Sequence, residues 1–137
     1  MLASALALLA ALAAGPEIQE ELIFPLEPMH NHSSSLVETP EGDLIAGWFH
    51  GRGEKGDDTL VIQGARKEKG AETWSTPFLL ADNQDLPDQN PVLFIDGQKV
   101  LWLFWISSLD NTSQTFLLKY RTSRDYEGEG APVWDWQ

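Results

Sequence analysis

The chain has no cysteine, which excludes a disulfide framework and a thiolate metal site. Basic residues are few: nine Lys and Arg stand against 21 Asp and Glu, a formal net charge of −12 at pH 7. Nucleic acids and anionic membranes both call for a basic face, so neither is expected as a partner, although a single pocket on an acidic protein can still be locally positive. Helical periodicity is missing after residue 16. The sequence also lacks a Gly-rich phosphate loop, a nucleophile elbow and a metalloprotease motif, and no cofactor is expected. Aromatic residues are not scarce, at 10% within a hydrophobic content of 42%, which is a globular balance rather than a disordered one.

Met1 to Gly15 carries no charged side chain and is almost entirely Ala and Leu. Such a run is too short to cross a bilayer as a stable helix. It fits the apolar core of a signal peptide, followed by small residues at Ala11 to Ala14 where a leader peptidase could cut. Residues 1–15 are therefore read as a leader, giving a secreted or periplasmic protein with no membrane span in the mature chain. Residues 16–31, acidic and punctuated by proline, read as a lead-in segment.

The remainder of the chain is built on a repeat. Thr59-Leu-Val-Ile-Gln-Gly-Ala-Arg66 aligns with Thr115-Phe-Leu-Leu-Lys-Tyr-Arg-Thr122 at an offset of 56 residues, and each copy runs into a loop that ends in tryptophan, Trp74 and Trp134. A period near 50 residues made of strands and turns is the mark of propeller blades. Strands are expected at Ser33–Val37, Asp43–Phe49, Thr59–Arg66 and Trp74–Ala81, the last interrupted by Pro77, with a turn at Pro40-Glu-Gly42. A second set is expected at Asn90–Ile95, Val100–Ile106 and Thr115–Thr122, with a turn at Asp96-Gly97. The fold class is all-β, a partial propeller, with blade 1 over 32–82 and an incomplete blade 2 over 83–137. Propellers have at least about four blades, so the sequence reads as the beginning of a longer protein.

The tryptophan loops carry a second signal. A Ser-x-Asp-x-Gly-x-Thr-Trp turn, the Asp-box, uses Ser and Asp to bond a tight hairpin and packs its tryptophan between strands. The first copy keeps Gly70, one place early, with Thr73 and Trp74, and the second keeps Ser123, Asp125 and Trp134 around a longer loop. These boxes, with Ser35-Leu-Val-Glu-Thr-Pro-Glu-Gly-Asp-Leu-Ile-Ala46, Gly51-Arg52 and Asp57-Asp58, resemble the first blade of the sialidase (neuraminidase-like, BNR-repeat) superfamily. Asn90-Pro-Val-Leu-Phe94 and Val100-Leu-Trp-Leu-Phe-Trp105 resemble the start of its second. The resemblance implies the first two blades of a six-bladed propeller acting on an acidic glycan. It does not by itself fix an activity.

Sialidases hold a substrate carboxylate with arginines, attack with a tyrosine assisted by a glutamate, and protonate the leaving oxygen with an aspartate. The family's spacing between a pocket arginine and that aspartate points to Arg52 as a substrate contact and Asp58 as the catalytic acid. Asp57-Asp58 equally fits a solvated turn ahead of a strand. The match also breaks at one place. Where the family has its first carboxylate-binding arginine, this chain has His32, within His30-Asn-His-Ser33. A neutral imidazole cannot make the bidentate, permanently charged contact of a guanidinium. His32 therefore contacts substrate as a protonated imidazole, or serves as the base of a propeller polysaccharide lyase, or belongs to a propeller that binds glycans or proteins without catalysis. His30 and His32 face the same side of an extended strand, but two ligands without a third make no zinc site. Arg66 and Arg121 end matching strands and either face a central channel or cap hairpins.

Overall fold

The computed structural model describes residues 18–53, 59–110, 112 and 114–135. Among these residues there are seven strands and no helix: β1 (His30–Glu38), β2 (Leu44–Gly51), β3 (Val61–Lys67), β4 (Phe78–Ala81), β5 (Asp88–Ile95), β6 (Leu101–Ser108) and β7 (Phe116–Ser123). They form two antiparallel meanders, β1-β2-β3-β4 and β5-β6-β7, so the four-plus-three strand count read from the repeat holds. The leader expected at residues 1–15 lies outside the described residues. No helix among the described residues is long and apolar enough to cross a membrane.

Boundaries moved where polar residues join ladders. β1 begins at His30 rather than Ser33, because Asn31 pairs with His50 and His30 with Gly51. β6 runs on to Ser108 because Ser107 pairs with both Asp88 and Leu117. The run from Trp74 is not a strand until Phe78, after Pro77, which has no N–H to give to a ladder. Hairpin turns follow their chemistry. Gly42 sits at φ 97° and donates to Thr39 O at 2.9 Å, a left-handed conformation that glycine adopts without a Cβ penalty. The Asp96 carboxylate closes the β5–β6 turn by accepting from Gln98 N (2.8 Å) and Val100 N (3.0 Å).

The first two strands of each blade pair in matching register fifty-seven residues apart, and the third strands follow at fifty-six. Val37 opposite Ile45 corresponds to Phe94 opposite Trp102, and His32 opposite Phe49 to Gln89 opposite Ile106. Both inner strands slip at the same place, between His32 and Ser35 and between Gln89 and Val92. Each slip holds a residue in the left-handed region, Ser33 at φ 53° and Asn90 at φ 52°. The two irregularities touch, with Ser33 Oγ donating to Asn90 Oδ1 at 2.9 Å.

One core lies between the blades: Ile45, Phe49 and Ile62 of blade 1 meet Leu93, Leu101, Leu103 and Trp105 of blade 2, with Leu80 and Tyr126 closing its rim. Full burial of a side chain of this size contributes about 1.5–3 kcal/mol. β2 is buried on both faces, as its continuous apolar run predicts. Its second face, Ala46 and Trp48, is covered by Ile23 and Phe24 of the lead-in segment and by Trp74, the Phe24 and Trp48 rings stacking 5.1 Å apart. β6 is different: Leu101, Leu103 and Trp105 are buried, while Trp102, Phe104 and Ile106 stand half-buried on the far side.

Candidate functional site

The inner edge of the molecule is made where β1 and β5 begin. His30 and His32 rise from alternate positions of β1 on the Phe49 side, their rings 5.5 Å apart and each about as far from the Phe49 ring, at 5.4 and 5.5 Å. The shared face expected of the pair is present. Among the described residues no third His, Cys, Asp or Glu joins them to make a group that could hold a metal ion. Arg52 follows the last residue of β2, exposed, with its backbone N–H directed at Thr59 Oγ1 (3.4 Å). Because His30 pairs with Gly51, β1's start and β2's end lie side by side. The topology thus brings His32 and Arg52 to one end of blade 1. Asp58, with Asp57, lies outside the described residues.

His32 also borders a cleft of about 600 Å³ between the lead-in segment and β1, shared with Phe24, Met29, Ser33 and Trp48. Arg52 does not line it, and its ionic groups are the carboxylates of Glu21 and Glu27. With two carboxylates and no Lys or Arg in its lining, this cleft is ill suited to a bound carboxylate.

Two polar clusters at the same end had no single motif to announce them. In blade 2 the Asp88 carboxylate is fully buried and accepts from Asn83 N (2.6 Å), Asn83 Nδ2 (2.8 Å), Trp105 Nε1 (3.0 Å) and Ser107 Oγ (2.5 Å). In blade 1 the matching positions are Asn31, Trp48 and His50. There His50 Nδ1–H donates to Asn31 Oδ1 (2.9 Å), Asn31 Nδ2 donates to Glu27 Oε1 (2.9 Å), and His50 lies 3.2 Å from Glu27. The available signal was the 57-residue match of Asn31-x-Ser33 with Asp88-x-Asn90.

Arg66 and Arg121 are settled as inter-blade ties. Arg66, 2% exposed, pairs with Asp43 at 3.0 Å and donates across to Tyr126 O and Gly130 O of the second tryptophan loop. Arg121 donates to Leu80 O and lies over the rings of Trp105 (5.3 Å) and Trp134 (5.4 Å). Burial pushes its guanidinium below the usual range, and the charge of Asp88 offsets part of that. Both tryptophan loops close alike: the residue after each tryptophan donates to the end of its blade's third strand, Ser75 N to Arg66 O and Asp135 N to Thr122 O, both at 2.7 Å. In the second loop Ser123 performs the expected box bonding, its Oγ donating to Val133 O and accepting from Asp125 N, while Asp125 takes part through its backbone, its carbonyl accepting from Val133 N (2.9 Å).

Residues 42–136 match the family described as BNR repeat-like domain. Among solved structures, Hadza microbial sialidase Hz136 matches with a TM-score of 0.57 at 16% identity, over 76% of this chain and 25% of that one. The chain thus spans about a quarter of that protein's length. No curated protein matches the sequence.

Proposed function

From the premise that this chain belongs to the BNR repeat-like family and has a partial sialidase-like propeller fold, we propose that it forms part of an exported glycan-processing enzyme acting on acidic sugars. Asp58 serves as the acid/base, and Arg52 and His32 contact the sugar. The observation that carries the reading is the placement of His32 and Arg52 at one end of blade 1, where the connection leading to Asp58 leaves β2. Placement on a connection suits a general acid, since closure over a sugar would desolvate the carboxyl and raise its pKa. The nucleophile and the remaining arginines of such a pocket would come from blades beyond these two, and this chain alone is expected to be inactive.

The test uses a protein carrying the full set of blades. Asp58→Ala should depress turnover of a poor-leaving-group glycoside by about 10²-fold or more and spare a substrate whose leaving group needs no proton. Equal losses on both would remove Asp58 from the acid role. The histidine pair supports a second reading, a lyase that abstracts a proton with neutral His32. Release of an unsaturated product from a uronate polymer, with no cleavage of a sialoside, would favour this second reading. A glycan-binding protein without product on either substrate would instead be a non-catalytic propeller.

A further inference from the structure

The lead-in segment borders two clefts. One is the cleft beside His32. The other, of about 390 Å³, is lined by Phe24, Pro25, Glu27, His50, Gln63 and Pro77. It lies on the Trp48 face of blade 1, because His50 follows Trp48 by two places along β2 and Gln63 is paired with Trp48 across β3. Neither His32 nor Arg52 lines it.

Its polar groups are held in defined roles. Asn31 Nδ2 donates to Glu27 Oε1 (2.9 Å) and to Met29 O (3.3 Å), which turns Asn31 Oδ1 toward His50 Nδ1 (2.9 Å). The same Nδ1 lies 3.2 Å from Glu27 Oε1. Facing two acceptors, Nδ1 carries the proton, and the neutral ring keeps its lone pair on Nε2. Among the described residues neither His50 Nε2 nor the Gln63 side-chain amide has a hydrogen-bond partner, and Glu27 spends only Oε1 on its neighbours. The cleft therefore presents two acceptors, His50 Nε2 and Glu27 Oε2, and an amide that both donates and accepts. They stand beside two prolines and the Phe24 ring, which is fixed by stacking on Trp48.

Blade 2 shows what the same place looks like with a blade packed alongside. Ser107 stands where blade 1 has His50, and Lys119 where it has Gln63. The Ser107 hydroxyl is taken up by Asp88, and its short side chain reaches no further. Yet Lys119 stays half-buried and Gln84, fifty-seven residues after Glu27, stays exposed with blade 1 in place. A blade packed on blade 1 as blade 1 packs on blade 2 thus leaves this cleft open. The acceptor set belongs to blade 1 alone.

We propose that this cleft binds a neutral hexopyranose unit of a glycan. Sugar hydroxyls donate to His50 Nε2 and Glu27 Oε2 and exchange a bond with Gln63, while the C–H face of the ring lies on Phe24 and the prolines. The Glu27 carboxylate repels a uronate or any other acidic sugar. It is also the one carboxylate lining the cleft among the described residues, and Asn31 and His50 already share its Oε1, so a free ammonium finds little charge here. The site is separate from the acidic-sugar contacts assigned to His32 and Arg52. It stands whether or not Asp58 acts as an acid, so the two readings fail separately.

The test is an NMR titration of the full chain with the methyl pyranosides of glucose, galactose and mannose, each beside its uronate and its amino-sugar counterpart. At least one neutral glycoside should bind in the millimolar range expected of so small a ligand, moving the signals of the Gln63 side-chain amide and the His50 ring. Its uronate counterpart should bind at least about tenfold more weakly, and Glu27→Gln should remove that difference. Gln63→Ala and His50→Phe should each weaken the neutral sugar by about fivefold. Because Gln63 makes no hydrogen bond within the described residues, Gln63→Ala should leave the fold intact, and it keeps the test decisive if His50→Phe disturbs the Asn31 and Glu27 network. Silence from all three neutral glycosides overturns the proposal. So does tighter binding of an amino sugar, which would make this a cation site. Shifts centred on Met29, Ser33 and Ser34 would place the sugar in the cleft beside His32 and overturn it as well, as would binding that Gln63→Ala does not weaken.

Discussion

Blade 1 and blade 2 share the register of their first three strands, with a one-residue change of offset at the third, and they differ in what the frame's polar positions hold. In blade 2 one carboxylate, Asp88, gathers an indole, a hydroxyl and both nitrogens of Asn83 inside the interface between blades. In blade 1 the corresponding Asn31 is exposed and bonds His50 and Glu27, while the Trp48 indole N–H is buried with no hydrogen-bond partner among the described residues. The same strand geometry thus gives a closed structural knot on one blade and an open, solvent-facing cluster on the other. What decides is whether a neighbouring sheet covers the position. A buried donor left unmade costs about 1–3 kcal/mol, so Trp48 marks the outer face of blade 1 as the less finished of the two.

The sharpest consequence is unequal sensitivity at equivalent positions. Asp88→Asn would turn an amide toward Asn83 N and remove the charge that Arg121 and four donors share, so it should cost about 3 kcal/mol or more. Asn31→Ala, at an exposed position, should cost no more than about 1 kcal/mol. Urea melts of the two variants would measure the ratio. Comparable losses at both positions would show that the blades are held by a common feature instead of by their different burial.

The two blades' outer faces give the next contrast. Phe24→Ala removes the ring stacked on Trp48 and should cost about 1–2 kcal/mol, less than a fully buried phenylalanine because the segment is only half-covered. Phe94→Ala on the far side of blade 2 should change the chain's stability by no more than about 0.5 kcal/mol. Urea melts of the two variants are the relevant measurement. A large loss from Phe94→Ala would mean that the exposed face already stabilises a single chain.

Strands, turns and the division into a four-stranded and a three-stranded sheet could be read from the sequence because they depend on local pattern: β-branched and aromatic runs, Pro-Glu-Gly and Asp-Gly turns, and a loop that returns to tryptophan. The lead-in segment could not. Its role rests on Phe24 reaching Trp48, a contact between residues whose partners are set by the tertiary arrangement, and nothing in an acidic proline-punctuated stretch signals a sheet face. The polar knot at Asp88 was hidden for a related reason. A single aspartate before Gln-Asn-Pro looks like loop chemistry until β5 begins two residues early and buries it. Of the candidate site, His32 and Arg52 were placed at the same end by strand pairing alone. The cleft beside His32 was unexpected, since it is built by the lead-in segment rather than by the blade.

The smallest expected effect is a local pH dependence that separates the two hairpins joining first to second strands. The β5–β6 turn is closed by the Asp96 carboxylate, whereas the β1–β2 turn is closed by Thr39, whose Oγ1 accepts from Asp43 N at 3.2 Å and does not titrate. The Val100 N–H, then the Trp102 indole N–H, hold the Asp96 carboxyl below the usual aspartate range. A depressed carboxyl contributes stability that is fully present above its unfolded value, about 3.9, and lost as pH falls through the lower folded value. The β5–β6 turn should therefore stay closed down to about pH 4 and loosen below it, with faster amide exchange at Val100 and a shift in Trp102 emission. Thr115 and Thr112 depress Asp110, and Lys67 and Trp74 depress Glu21, so global acid unfolding is shared among several groups and only a local reporter isolates Asp96. In Asp96→Asn the Val100 amide should exchange at one rate across this range after correction for intrinsic chemistry, while amides at the Thr39 turn respond identically in both proteins. A Val100 rate that still climbs on acidification in Asp96→Asn would place the acid sensitivity elsewhere in the sheet.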